Sequence, residues 1–242
     1  MPSWIGWTSM LLASPSPAKA TSVVLLTLGL AIVHLLCVAR LREPQPHPSD
    51  PYPEILPGYS TLFRSVRRAA VPLLASLAVG FLASWLPWSL IPVWVVLGSS
   101  MTVLVAIDLF TTWLPHSMTL LCAGELVITI AIGLFLDPAD LLHRLLWAGS
   151  GALAGYGFFF LIWRFGSGLG FGDVRLAGLL GAATAFTGLN TWWLTFLFGT
   201  TIGAVAAIAV SLYRRTRPHP LGTAFPYGPC LWSGAVFALI LT

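Results

Sequence analysis

Three carboxylates stand where an oily chain should hold none. Asp108 closes one long apolar run, Asp173 opens another, and Glu125 lies some two turns inside a third. A charged group at mid-bilayer costs roughly 2.5–3.5 kcal/mol on insertion scales, so acids kept there line a polar cavity and act in it. Two aspartates at one depth suit hydrolysis of a peptide bond. One takes a proton from a water held between them, while the other protonates the scissile carbonyl or the leaving nitrogen. The two must be close, because neighbouring like charges let one carboxyl keep its proton. The other five acids, Glu43, Asp50, Glu54, Asp137 and Asp140, fall in polar connections and need only solvent.

Glycines crowd one of the two aspartates. Gly166, Gly168, Gly170 and Gly172 alternate on the approach to Asp173. Glycine adopts backbone angles that other residues avoid and lets a second backbone come close. An extended peptide could therefore lie beside the carboxylates. Taken alone, the same run also reads as a plain loop with Asp173 capping the helix that follows.

The elements that must position these groups follow from composition. The chain has 242 residues, 57% hydrophobic and 8% charged; an ordinary soluble domain carries about 25% charge. The expected fold is all-α, a polytopic transmembrane bundle. Eight apolar runs are long enough to be candidate spans: 21–40, 69–86, 89–108, 118–136, 142–163, 174–189, 191–212 and 224–241. The sixth is short, so it is expected either to tilt or to start below the surface, within protein. Trp85 to Trp88, and Trp192 with Trp193, read as interfacial turns between spans. The GALAG run at 151–155 has the small-residue spacing that lets helices approach, either inside the bundle or between copies.

Charge placement sets the orientation. The net charge is +4, but the basic residues sit between apolar runs, which is topology-setting and not a grip on nucleic acid. If eight spans alternate, ten arginines fall on one side, and only Lys19 and Arg144 on the other. The arginine-rich side is then cytoplasmic, facing anionic lipid, and carries Asp108 and Asp173. The implied organisation is an outer tail at 1–20, a first span at 21–41, a cytoplasmic linker at 42–67 and a membrane domain at 68–242. The linker holds six prolines and cannot be helical throughout. The first twenty residues lack a basic start and are not expected to be a removable signal. Cys37, Cys122 and Cys230 form no CxxC pair and read as small buried hydrophobes.

Three stretches carry a family resemblance. Gly170-Phe171-Gly172-Asp173-Val174-Arg175-Leu176 resembles the GxGD signature of type IV prepilin peptidases. Asp108 to Pro115 is similar to the family's first aspartate and the proline that follows it. Ala224 to Pro229 resembles its late proline-aromatic-glycine-proline segment, and Arg40 to Pro44 weakly echoes the end of its first span. The resemblance is good over 88–241 and looser over 21–87. It implies a membrane aspartyl endopeptidase with Asp108 and Asp173 catalytic. Its expected substrate contacts are Gly170, Gly172, Arg175 and Pro115; Glu125, inside its span, reads either as a hydrogen-bonded packing acid or as a further group lining the substrate cavity. The implied substrate is a prepilin or pilin-like precursor, cut on the cytoplasmic side, and no cofactor or metal is expected. His116 and Arg175 depart from the usual residue types; Arg175 is expected to bind interfacial phosphate or to pair with a catalytic carboxylate. The linker lacks the cysteine tetrad of bifunctional members, which puts N-methylation in doubt.

Two other readings stay open. Presenilin-like proteases share GxGD, but with a tyrosine before the first aspartate, where this chain has Ile107. A transporter or assembly scaffold would carry its acids nearer the midplane.

Overall fold

The computed structural model describes residues 14–43, 58–166, 169–216 and 225–242, and among them the regular structure is entirely helical. Helix α1 (Pro17–Val38) opens with proline in its first turn, where a missing N–H costs nothing. Residues 17–20, expected in the outer tail, are therefore helical. A short helix α2 (Tyr59–Leu62) lies in the linker, and α3 (Val66–Ala83) follows it. The stretch Ile91–Thr111 crosses as α4 (Ile91–Gly98) and α5 (Ser100–Thr111), with the break at Ser99. Then come α6 (His116–Leu136), α7 (Leu141–Phe165), α8 (Phe171–Thr187), α9 (Leu189–Thr216) and α10 (Gly228–Leu241).

Six of these stretches are long and apolar enough to cross a membrane, and α10 is a shorter apolar helix. With α8, of 17 residues, eight helical stretches stand where eight apolar runs were expected, their ends shifted by a few residues and six of them long enough to span. The chain is a multi-pass helical membrane bundle. Its outer helices turn large apolar side chains outward, among them Leu36, Phe135 and Leu153. In hydrocarbon such faces need no covering.

Two elements differ from that pattern and form the centre. The α4–α5 stretch is 89% buried, against 28% or less for the other spans. Helix α8 buries ten of its residues, including Asp173, and lies against α7, α9, α6, α10 and α4. Small residues make this possible. A methyl added at Gly151 or at Gly181 would strike the backbone of the other helix, and one added at Gly155 would lie 2.6 Å from the Ala177 carbonyl. The GALAG spacing is therefore used inside the bundle, to seat α7 on α8. Trp192, expected in a turn, stands within α9 and donates its indole N–H to the Gly151 carbonyl over 3.2 Å. The turn itself falls at Gly188.

Candidate active site

Helix α5 ends beside its aspartate for a local reason. Thr112 takes a left-handed conformation (φ 57°) and sends its N–H back to the Asp108 carbonyl. A β-branched residue there is strained by on the order of 1–3 kcal/mol, a cost met where the surrounding structure fixes the turn. Pro115 then opens α6, so the chain reverses within four residues. The Asp108 carboxylate is left at the end of a buried helix, 3% exposed.

Asp173 comes from the first turn of α8, 6% exposed. It occupies the third helical position, where its Oδ2 accepts the Gly170 N–H over 3.1 Å. This is the carboxylate half of a capping box, a variant of the capping role foreseen for it. The helix begins hard against the loop after α5, since a methyl on Gly172 would lie 2.7 Å from Leu114 Cβ. Glycine at this position lets the two aspartate-bearing segments approach. The second oxygen, Asp173 Oδ1, is buried and has no hydrogen-bond partner among the described residues.

A third segment completes the pair. The Gly228 N–H, at the start of α10, donates to Asp108 Oδ2 over 2.9 Å. A methyl here would lie 2.8 Å from that oxygen, so the contact requires glycine. Tyr227 sets the position of Gly228. Its ring sits on Gly203 of α9 and 6.1 Å from the Phe159 ring of α7.

Asp108 and Asp173 interact electrostatically and line one cavity of 650 Å³. Its walls are Thr112 to Ser117 from the turn into α6 and Gly170 to Asp173 from the start of α8. Arg42 and Tyr59 come from the two ends of the linker. Of the expected substrate contacts, Gly170, Gly172 and Pro115 lie on this wall, together with His116. Arg175 and Glu125 do not. The Arg175 guanidinium stacks 4.7 Å over the Phe171 ring, and no ion pair joins it to either aspartate. Glu125 points to α1 and meets His34 Nε2 at 2.7 Å. Gly228, Arg42 and Tyr59 were not expected at the site. Gly228 stood within a recognised motif, whereas Arg42 and Tyr59 flank a proline-rich stretch with no periodic signal.

The arrangement offers two buried carboxylates on separate helices, each held by one backbone N–H, beside an open cavity. Two carboxylates so placed can activate a water held between them.

Comparison with known proteins agrees with this geometry. The type IV leader peptidase family matches residues 95–208, a stretch that contains both aspartates. A prepilin leader peptidase/N-methyltransferase of Pectobacterium carotovorum subsp. carotovorum is 30% identical over 178 residues. The match takes in 71% of this chain and 58% of that protein, so the chain spans well under two thirds of its relative. No solved structure matches. With both aspartates inside the matched region and the late glycine-proline segment bonded to the first of them, sequence and geometry together support the type IV leader peptidase family.

Proposed function

We propose that this protein is a membrane-embedded aspartyl endopeptidase that removes the leader from prepilins or pilin-like precursors at the cytoplasmic face of the inner membrane. The observation that carries the reading is the meeting of Asp108 and Asp173, from α5 and α8, in one cavity. A water between them is activated by one carboxylate while the other supplies a proton to the peptide. The Gly228 and Gly170 N–H groups aim the two carboxylates. The Gly170–Gly172 segment and Pro115 flank an extended substrate, which approaches from lipid as an apolar helix with a basic leader. The cytoplasmic placement rests on the arginine bias, and the same arginines suit anionic lipid headgroups. Transfer of a methyl group forms no part of this proposal.

The test is co-expression with a precursor carrying a basic leader, a glycine and an apolar helix. The unmodified chain should shorten the precursor, and Asp108→Asn and Asp173→Asn should each abolish the cut. Normal processing by both variants would refute the reading and favour a scaffold or transporter.

A further inference from the structure

Beyond α1 the chain turns, with the Arg40 and Leu41 N–H groups bonded to the Cys37 and Val38 carbonyls. Glu43 follows, and its carboxylate reaches across the linker. Oε2 accepts the Tyr59 N–H over 2.8 Å and Oε1 accepts the Ser60 N–H over 2.9 Å. The two partners lie sixteen and seventeen positions away, so one side chain ties the linker's exit to its entrance. Gly58 makes room, since a methyl there would lie 3.0 Å from Oε1. Burial alone would raise the Glu43 carboxyl, but the Ser60 and Tyr59 N–H groups outweigh it and hold it below the usual carboxylate range.

The tie has a target. Arg42 precedes Glu43, Tyr59 is the residue captured, and both line the cavity of the aspartates. Helix α2 is also fixed to α5 two residues past Asp108, where Phe63 meets the Phe110 ring edge-on at 6.3 Å. Burial, then the Glu43 charge, push the Tyr59 hydroxyl up to about 12, so it stays protonated at any physiological pH. Arg42 makes no ion pair among the described residues. An extended peptide bound beside the aspartates presents unpaired carbonyl oxygens, and a guanidinium and a phenol are donors for them.

We propose that Glu43 is a positioning residue that holds Arg42 and Tyr59 as the substrate-gripping part of the cavity they share with Asp108 and Asp173, where they take the backbone carbonyls of an extended peptide. The proposal rests on the peptidase reading and adds the linker ends to the binding surface.

The experiment uses the full chain in lipid nanodiscs and a purified, fluorescently labelled precursor with a basic leader, a glycine and an apolar helix. Glu43→Ala, Arg42→Ala and Tyr59→Phe should each weaken kcat/KM, by about tenfold for the charged pair, with most of the loss in KM. Glu43→Ala combined with Arg42→Ala should lose little beyond the worse single variant, because the two act as one unit. Glu43→Gln, which keeps an acceptor oxygen, should recover part of the affinity. In the same samples the Tyr59 and Ser60 amides should exchange faster in Glu43→Ala than in the unmodified chain. Unchanged exchange overturns the tie whatever the substrate is. Losses that multiply in the double variant, or an unchanged KM in Glu43→Ala, overturn the gripping wall. A precursor left whole by the unmodified chain overturns the peptidase reading instead, and the exchange measurement still decides the tie.

Discussion

The substitution Gly228→Ala isolates the contact between the late motif and the first aspartate. The added methyl would lie 2.8 Å from Asp108 Oδ2 and 3.2 Å from Leu176 Cδ2. An ordinary carbon–oxygen approach is about 3.3–3.6 Å, so the carboxylate must withdraw by roughly half an ångström or more. Withdrawal stretches the 2.9 Å bond from the Gly228 N–H beyond useful range. A hydrogen bond to a charged group contributes about 1.5–3 kcal/mol. If that bond orients Asp108 in the transition state, kcat should fall about tenfold to a hundredfold. KM should change little, because Gly228 does not line the cavity. The assay is cleavage of the labelled precursor in nanodiscs, with thermal unfolding measured alongside. Gly149→Ala serves as control, since a methyl there meets nothing within 4 Å. A Gly228→Ala enzyme that cuts at the unmodified rate would show that the N–H contact does not aim the carboxylate.

Three further outcomes are expected. Gly151→Ala should lower the unfolding temperature, because its methyl strikes α8 and overpacking of this kind costs about 1–3 kcal/mol, more than the ~1 kcal/mol gained in helix propensity; an equal or higher temperature would refute the seating of α7 on α8. Glu125→Ala should destabilise by about 1–3 kcal/mol, since it strands the buried His34 ring, yet leave the kcat of the folded enzyme intact; lost cleavage with unchanged stability would make Glu125 a substrate contact after all. The Glu43 tie should fail in acid. Its folded carboxyl titrates below the ordinary value of about 4.3, so the stabilisation is whole above that pH and disappears as pH falls through the folded value. Amide exchange at Tyr59 and Ser60, followed from pH 7 downward, checks this sign, and protection that rises in acid would contradict it.

Much of the bundle was legible because hydrocarbon imposes one rule on every span. A run of apolar residues shows its length and its two charged flanks, so the eight segments could be read directly, and so could the place of Asp108 at the end of one helix and Asp173 at the start of another. The short sixth run is α8, 17 residues long with ten of them buried. The contacts that complete the site were less visible. Gly228 stood in a recognised motif, but a motif does not say which atom its N–H meets. The roles of Arg42, Glu43 and Tyr59 depend on a closure across the proline-rich linker, and no periodicity encodes a loop that is fixed by one side chain. Arg175 was expected at the site from its place in the motif, and Glu125 from its place inside a span, where a hydrogen-bonded packing role was the other reading. Depth does not determine rotation about a helix axis, and both side chains turn away from the cavity, one to the Phe171 ring and one to His34.

The His34–Glu125 bond also bears on how the bundle is assembled. Its two halves are 91 positions apart, so α1 enters the bilayer long before its partner has been synthesised. In that interval the His34 ring can satisfy only one nitrogen, through the Leu30 carbonyl of its own helix. Helix α1 packs chiefly on α3, which follows it closely in the chain, so it can dock early, and the His34–Glu125 bond closes later, when α6 arrives.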